Sequence, residues 1–326
     1  MIKFNAILAA GALSLGSLGL AGAANAQVVT IASGAQGSLA YNTGQAVAKI
    51  ANDAGITGRT QPLVGYLPLI SNGEVDFGFS NLVETEYAVT GTGNYDRASP
   101  GIELVGTMFN LVTGMMAPCD LGLATIADVK ARAADLRIAS EYTSSTIIPF
   151  YIAGGLASGG LSYDDFQQVP VANFVAGINA LGDGLVDVAL VSLNAGAGQQ
   201  ASVKLQDRGG LCYISLDASD EGTAAFKDFL PSGNLVHREQ NDKVNGLQDH
   251  AANLMSIPWV LITNNQVDED LVYTLTKAIA ENKEALQASF GAFRNFDAQI
   301  MAPASAVPYH AGARRYFEEA GIPISE

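Results

Sequence analysis

Apolar and polar positions along this chain follow two periods in turn. A near-continuous apolar run, "VVTIAS", occupies 28–33. A Gly/Ser-rich stretch follows, and then "LAYNTGQAVAKIAND", whose apolar residues recur at helical spacing. Short apolar runs bounded by Gly and polar clusters read as strands, and 3.6-residue spacing reads as helix. On that basis strands are predicted at 28–33, 60–65 and 75–80, with helices near 38–54 and 66–72. The same order returns as strands at 136–140, 169–175 and 186–192, with helices near 145–158 and 177–183.

The two series echo each other in residue identity. "GEVDFGFSN" from Gly73 meets "GLVDVALV" from Gly184, an offset of 111 residues. At that offset Leu63-Val64-Gly65 meets Phe174-Val175-Ala176, and at 107 residues Ile31-Ala32-Ser33 meets Ile138-Ala139-Ser140. Strands alternating with helices imply parallel sheets covered on both faces. The fold class is therefore α/β, with two lobes of similar topology.

Between the lobes lies a β-prone run at 103–118, too long for one tidy strand and read as the crossover. "IPWVLIT" at 257–263 is its expected partner on the way back. The boundaries that follow are 27–112 for the first part of lobe 1, 113–215 for lobe 2, and 216–326 for the return to lobe 1. "Asp268-Glu269-Asp270" opens an amphipathic helical run to about Phe290, and a last helix from Ala311 is closed by Gly321.

In open parallel sheets, ligands bind outside the carboxyl ends of the strands. Those ends carry Ser33, Gln36, Gly37 and Ser38, then Gly65 and Tyr66, then Ser80 and Asn81. In the second series they carry Glu141, Thr143, Ser144, Ser145 and Thr146, then Ser192 and Asn194. With Tyr41, which follows the first turn, these are the candidate ligand residues. They are small, polar and mostly uncharged. Helix starts at Ser38 and at Ser144-Ser145-Thr146 would offer unpaired N–H groups to an anion without a cationic side chain. The same hydroxyls also fit simple N-caps. Glu141 would oppose a purely anionic solute and suits one that also carries an amine. It equally fits a solvated rim carboxylate or one paired with Arg137.

The first 26 residues change the setting. One Lys precedes the apolar run "AILAAGALSLGSLGLAGA", and Ala24-Asn25-Ala26 has the small-x-small form of a cleavage site. This is the build of a secretory signal peptide cut before Gln27. A membrane anchor is the rival, and the many small residues make a poor spanning helix. The mature chain is then expected to be exported. Over the full sequence acids outnumber bases, 32 to 17, for a formal charge of −15. That balance argues against nucleic acid and anionic membrane surfaces as partners, and any anion site must be built locally. Cys119 and Cys212 form a disulfide candidate in an oxidising compartment, with two buried thiols as the alternative. His237, His250 and His310 have no metal-ligand spacing, so neither metal nor cofactor is expected.

The turn entering Tyr41-Asn42-Thr43-Gly44, the block Leu69-Ile70-Ser71-Asn72-Gly73-Glu74-Val75-Asp76, the stretch Thr125-Ile126-Ala127-Asp128-Val129-Lys130 and the ending Pro308-Tyr309-His310-Ala311-Gly312-Ala313-Arg314-Arg315-Tyr316-Phe317 resemble one family. It is the TAXI family of solute receptors for TRAP (tripartite ATP-independent periplasmic) transporters. The resemblance covers essentially the whole mature chain. It implies a type II periplasmic binding protein, monomeric, with a ligand cleft between two α/β lobes. Such a receptor passes a small carboxylate, glutamate or 2-oxoglutarate among them, to a membrane permease driven by an ion gradient. This chain departs from the family pattern at Leu39-Ala40, at Gly65-Tyr66 and at Glu141, all at the supposed pocket.

Two other classes compete. An exported enzyme on a related scaffold needs an acid, base or nucleophile in the cleft; Glu141 is the best candidate, without a His or Cys near it in sequence. A receptor reporting to a membrane sensor is the third.

Overall fold

The computed structural model describes residues 28–34, 36, 38–193 and 195–325. The signal-peptide reading of 1–26, and Gly37 and Asn194 among the candidate ligand residues, lie outside the described residues.

The first unit is β1 (Val28–Ala32), α1 (Leu39–Asp53), β2 (Thr57–Gln61), α2 (Leu67–Ser71), β3 (Phe77–Asn81) and α3 (Leu82–Thr90). In α1 the buried positions Ala40, Thr43, Gly44, Val47, Ile50 and Ala51 make one face. Burying Val47 and Ile50 contributes about 1.5–3 kcal/mol each. Gly44 lets this face close on the sheet, since a Cβ there would stand 3.1 Å from the Ser33 Cβ. β1 pairs in parallel with both β2 and β3.

The long strand β4 (Ile102–Pro118) then leaves for the second unit. That unit is α4 (Ile126–Lys130), β5 (Arg137–Glu141), α5 (Ile148–Ser158), β6 (Gln167–Val171), α6 (Phe174–Gly182), β7 (Ala189–Ser192), α7 (Gly196–Lys204), β8 (Leu211–Tyr213), α8 (Asp220–Phe229) and β9 (Asn234–Arg238). β10 (Ala252–Asn264) runs back antiparallel to β4, from Met255 opposite Thr113 to Asn264 opposite Ile102. The chain ends in α9 (Glu269–Glu281), α10 (Lys283–Ser289) and α11 (Ala311–Ala320). The sheet is thus mixed rather than purely parallel: β10 and β4 enter the parallel set antiparallel, because each carries the chain between the units.

The internal echo is structural. Ile31 pairs with Phe77 in the first unit and Ile138 with Val188 in the second. The two partners differ by the same offsets, 107 and 111, that the residue identities show.

Two apolar clusters result. One gathers β1, β3, the first half of β4, β10 from Trp259 onward, and α9 to α11. The other runs from Met115 to Ile257 and also takes Val83. Leu216, Phe226, Leu230, Leu247 and Leu254 belong to the second cluster. The segment 216–257 therefore packs with the second unit, and the return to the first comes at Trp259. Its apolar residues are spent against α5 and β4, so the 216 boundary is corrected.

Two local expectations are also corrected. The second strands are 57–61 and 167–171, so Leu63–Gly65 and Phe174–Ala176 fall beyond them. Asn173 accepts the Ala176 N–H and starts α6 at Phe174. α5 begins at Ile148, past Ser144-Ser145-Thr146. Pro149 sits in its first turn; a helix begun at 145 would need from Pro149 the N–H that proline lacks.

The ending of the chain is a clamp. His310 caps α11, accepting the Gly312 N–H at 3.1 Å on Nδ1, which leaves Nε2 to donate to the Val267 carbonyl at 3.1 Å. A Cβ on Gly312 would lie 2.2 Å from the Glu269 carbonyl oxygen at the start of α9. Elsewhere Cys119 and Cys212 are joined, with Cα atoms 5.0 Å apart, fastening the end of β4 to β8.

Candidate functional site

The ribbon of β4 and β10 sets where the two units meet. β3 runs along β10 from Ile262 toward Trp259, so its carboxyl end, Asn81, points to the middle of the ribbon. β7 runs along β4 from Met116 to Thr113, so its carboxyl end, Ser192, points to the same middle from the other side. Trp259 faces Phe109, so the two strand ends are separated by the residues from 109 to 113, roughly 13 Å of strand. Over that interval the burial of β4 lapses: Asn110 is exposed, and Leu111 and Val112 are half-buried. The strand ends of both units thus converge on the middle of the ribbon, and the space between the two walls there is the candidate cleft.

The wall from the first unit is polar and carries one acid. Asn81 caps α3, accepting the Glu84 N–H at 2.8 Å, and its Nδ2 donates to Glu84 Oε2 at 3.0 Å. The Tyr95 hydroxyl donates to Glu84 Oε1 at 3.1 Å. Tyr66, buried, donates to the Phe79 carbonyl. Burial pushes the Glu84 carboxyl up, against hydrogen bonds from Tyr95 and Asn81. Burial and the Glu84 charge push the Tyr66 and Tyr95 phenols up as well. Ser38 caps α1, accepting the Tyr41 N–H at 3.1 Å. Gln36 and Gly65 are exposed, and Tyr41 is half-buried.

The wall from the second unit is shaped by an unusual turn. Glu141 and Tyr142 both take positive φ, 63° and 47°. The turn sends Glu141 outward and buries Tyr142 completely. Arg137 does not pair with Glu141; it holds Asp187 instead, at 2.8 Å. The Ser144 hydroxyl donates to the Ala172 carbonyl at 2.9 Å. Thr143, Ser144 and Thr146 are exposed, and Ser145 is half-buried. The Ser192 hydroxyl lies 3.5 Å from Thr113 Oγ1.

The two walls touch. Asn94 Nδ2 donates to Thr146 Oγ1 at 3.0 Å, and Tyr87 packs edge-on to Phe150 with ring centres 5.3 Å apart. Tyr151 of α5 comes close enough to Glu84 for the carboxylate charge to add to burial in raising its phenol. Ser33, Ser80, Ser140 and Tyr151 are all buried, and among the described residues their hydroxyls have no hydrogen-bond partner. Ser33 lies under α1 against Gly44.

Of the residues singled out from the sequence, Tyr66, Ser80, Asn81 and Ser192 fall on this cleft, and Thr146 on the contact between its walls. Glu84, Tyr95, Tyr151 and Trp259 stand beside them and are not among the residues the sequence singles out. Glu84 did carry a signal: Asn81-x-x-Glu84 at a strand end is a helix-start pattern that places the acid beside the cap.

Several solved structures share this architecture. The chain is similar to a TctC solute-binding protein from Polaromonas, at 13% identity and a TM-score of 0.52, covering 84% of this chain and 90% of that one. It is similar to MatC from Rhodopseudomonas palustris with bound malate, at 13% identity and a TM-score of 0.51, covering 91% of this chain and 97% of that one. A periplasmic transporter matches at 12% identity and a TM-score of 0.50, covering 92% of this chain and 95% of that one. The fold is the α/β fold of the two-lobed periplasmic binding proteins. A family model, that of the NMT1-like family, matches residues 31–321. The chain belongs to the NMT1-like family.

Proposed function

We propose that this chain is an exported receptor that holds a small organic acid or amino acid between its lobes and delivers it to a membrane permease. A TRAP-type, ion-gradient-driven permease is the partner that the TAXI resemblance suggests. The observation that supports this most is the convergence of Asn81 and Ser192, from two separate units, on one cleft over the β4–β10 ribbon. A carboxylate suits the start of α1, where first-turn N–H groups lack intrahelical partners. MatC, a neighbour in fold, holds malate. Ligand exchange rather than turnover is the reading, since the cleft acid Glu84 is engaged by Asn81 and Tyr95 and, among the described residues, not by a nucleophile or base.

The test is a thermal-shift series with malate, 2-oxoglutarate, L-glutamate and neutral amino acids, paired with small-angle scattering. A ligand of the native state raises the melting temperature as its concentration rises. A saturable rise together with a smaller radius of gyration supports the receptor reading. No rise with any compound, at concentrations well above those of periplasmic solutes, counts against it.

A further inference from the structure

Glu84 is an acid in an unusual position. It sits in the first turn of α3, half-buried, where the two lobes touch. Each of its oxygens takes one hydrogen bond from a neutral donor, Asn81 or Tyr95. No Lys, Arg or His is ion-paired with it among the described residues. A carboxylate drawn out of water without a countercharge is costly, and carboxylates in such places are normally paired. Across from it, Tyr151 on α5 is 2% exposed, and on its own side Ser80 is 3% exposed. Neither hydroxyl has a partner among the described residues. The Glu84 charge thus reaches Tyr151 across the lobes, and the Tyr151 hydroxyl, like that of Ser80 on the strand before α3, is shut off from solvent without a partner among the described residues. A carboxylate keeps further lone pairs after two bonds, and a hydroxyl accepts as well as donates. A primary ammonium, with three donors and no acceptor, complements that set.

We infer that Glu84 is the charge-reading residue of the cleft and takes the ammonium of an amino-bearing solute, with Tyr151 and Ser80 as accompanying acceptors. This assignment rests on the receptor reading above and narrows its solute to compounds that carry an amine. Glu141, the acid that the sequence offers for this role, faces solvent.

The pH behaviour follows from the neighbours. The titratable groups facing Glu84 are Tyr66 before α2, Tyr95 after α3 and Tyr151 on α5. Burial raises all three phenols, so they stay neutral and Glu84 is the group of the cluster that takes up a proton as pH falls. Its carboxyl is itself raised by burial, so acidification neutralises it early. An ammonium then competes with a proton for Glu84. Its affinity falls as pH drops through the Glu84 titration, by up to tenfold per pH unit, and is level above it.

The experiment uses the mature chain and matched probes: L-glutamate with 2-oxoglutarate, L-alanine with pyruvate, and L-leucine with 4-methyl-2-oxopentanoate. Affinities are measured by calorimetry for the parent and for Glu84→Gln. The expected result is that at least one amino acid binds tenfold or more tightly than its oxo acid, and that Glu84→Gln removes this preference. Because the substitution disturbs the α3 cap region, the parent alone is also titrated across pH. There the amino acid loses affinity on acidification while the oxo acid does not. Oxo acids binding as well as their amino partners, or a preference that persists in a folded Glu84→Gln protein, overturns the assignment and leaves the receptor reading standing. Binding by none of the six overturns the assignment, and with the thermal-shift series also blank the receptor reading falls too.

Discussion

Asp76 and Asp187 do the same job in the two lobes. Asp76 Oδ2 accepts the Thr30 N–H at 2.7 Å, and Asp187 Oδ2 accepts the Arg137 N–H at 2.9 Å. Thr30 and Arg137 are themselves counterparts, at the offset of 107. Each aspartate thus stands just before the third strand of its lobe and fastens the first strand. Replacing either with Ala leaves a part-buried N–H without its charged acceptor and should cost about 1–3 kcal/mol in urea unfolding. A loss near zero at both positions would mean that the bonds contribute nothing net.

The second aspartate adds a pH dependence. Burial pushes the Asp187 carboxyl up, but hydrogen bonds and charge from Arg137 outweigh it and leave the group below its usual value. A folded-state pKa below the unfolded one gives stability above the unfolded value, near 3.9, that is lost as pH falls through the folded value. Acid unfolding followed by circular dichroism should therefore show a smaller loss below about pH 4 in Asp187→Asn than in the parent.

That pair also shows what was legible in advance. The Gly-x-Val-Asp blocks stand out because the same aspartate is required twice, once per lobe. The long crossovers stand out because a ribbon buried at both ends needs long apolar runs. The second strand did not: Thr57–Gln61 is polar and lies at the sheet edge, while the tempting apolar residue beyond it, Val64, is 87% exposed. The packing of 216–257 was hidden because an apolar pattern shows that a face is buried and not against what. Glu84 was hidden for a related reason. Its nearest partner, Asn81, is local, but its isolation from cations and its approach to Tyr151 depend on how the lobes meet.

The C-terminal motif is legible in the sequence as a family mark, and in the structure it is a support. Gly312 lets α11 press on the first turn of α9, and any side chain there meets the Glu269 carbonyl oxygen. Gly312→Ala should destabilise by about 1–3 kcal/mol, as overpacking of a close contact does. Its effect on solute affinity, measured well below the melting temperature, should be small, because α11 meets the ribbon near Leu104 and not at its middle. Unchanged stability would show that α11 shifts at no cost.

At the rim, backbone conformation outweighs the side chain. Glu141 holds a left-handed φ that costs a non-glycine residue about 1–2 kcal/mol. Glu141→Gly should therefore be more stable than Glu141→Ala by about 1 kcal/mol in urea unfolding, after the unfolded-state entropy of glycine is counted. Glu141→Ala more stable than Glu141→Gly would show that the turn relaxes when the acid is removed. Glu141→Gln should keep any amino-acid preference that Glu84→Gln removes, which separates the two acids in one comparison.

Trp259 provides a readout of the cleft. It is the one tryptophan of the chain and stands opposite Asn81 on β3 and Phe109 on β4. Its Nε1 donates to Thr43 Oγ1 at 3.4 Å, and that hydroxyl donates in turn to the Leu39 carbonyl at 2.9 Å. The indole thus couples the ribbon to the first turn of α1, beside the candidate carboxylate position. A solute seated there perturbs the ring's surroundings even without touching it. Selective excitation of tryptophan should show a saturable change in emission, with the midpoint that calorimetry gives for the same solute. Thr43→Val removes the acceptor while keeping the shape, leaves Nε1–H unpaired, and should cost about 1–3 kcal/mol of stability. In that variant the emission of the unliganded protein should already be displaced, and the solute-induced change should shrink. A solute that raises the melting temperature yet leaves Trp259 emission unmoved in the parent would place its site away from the ribbon.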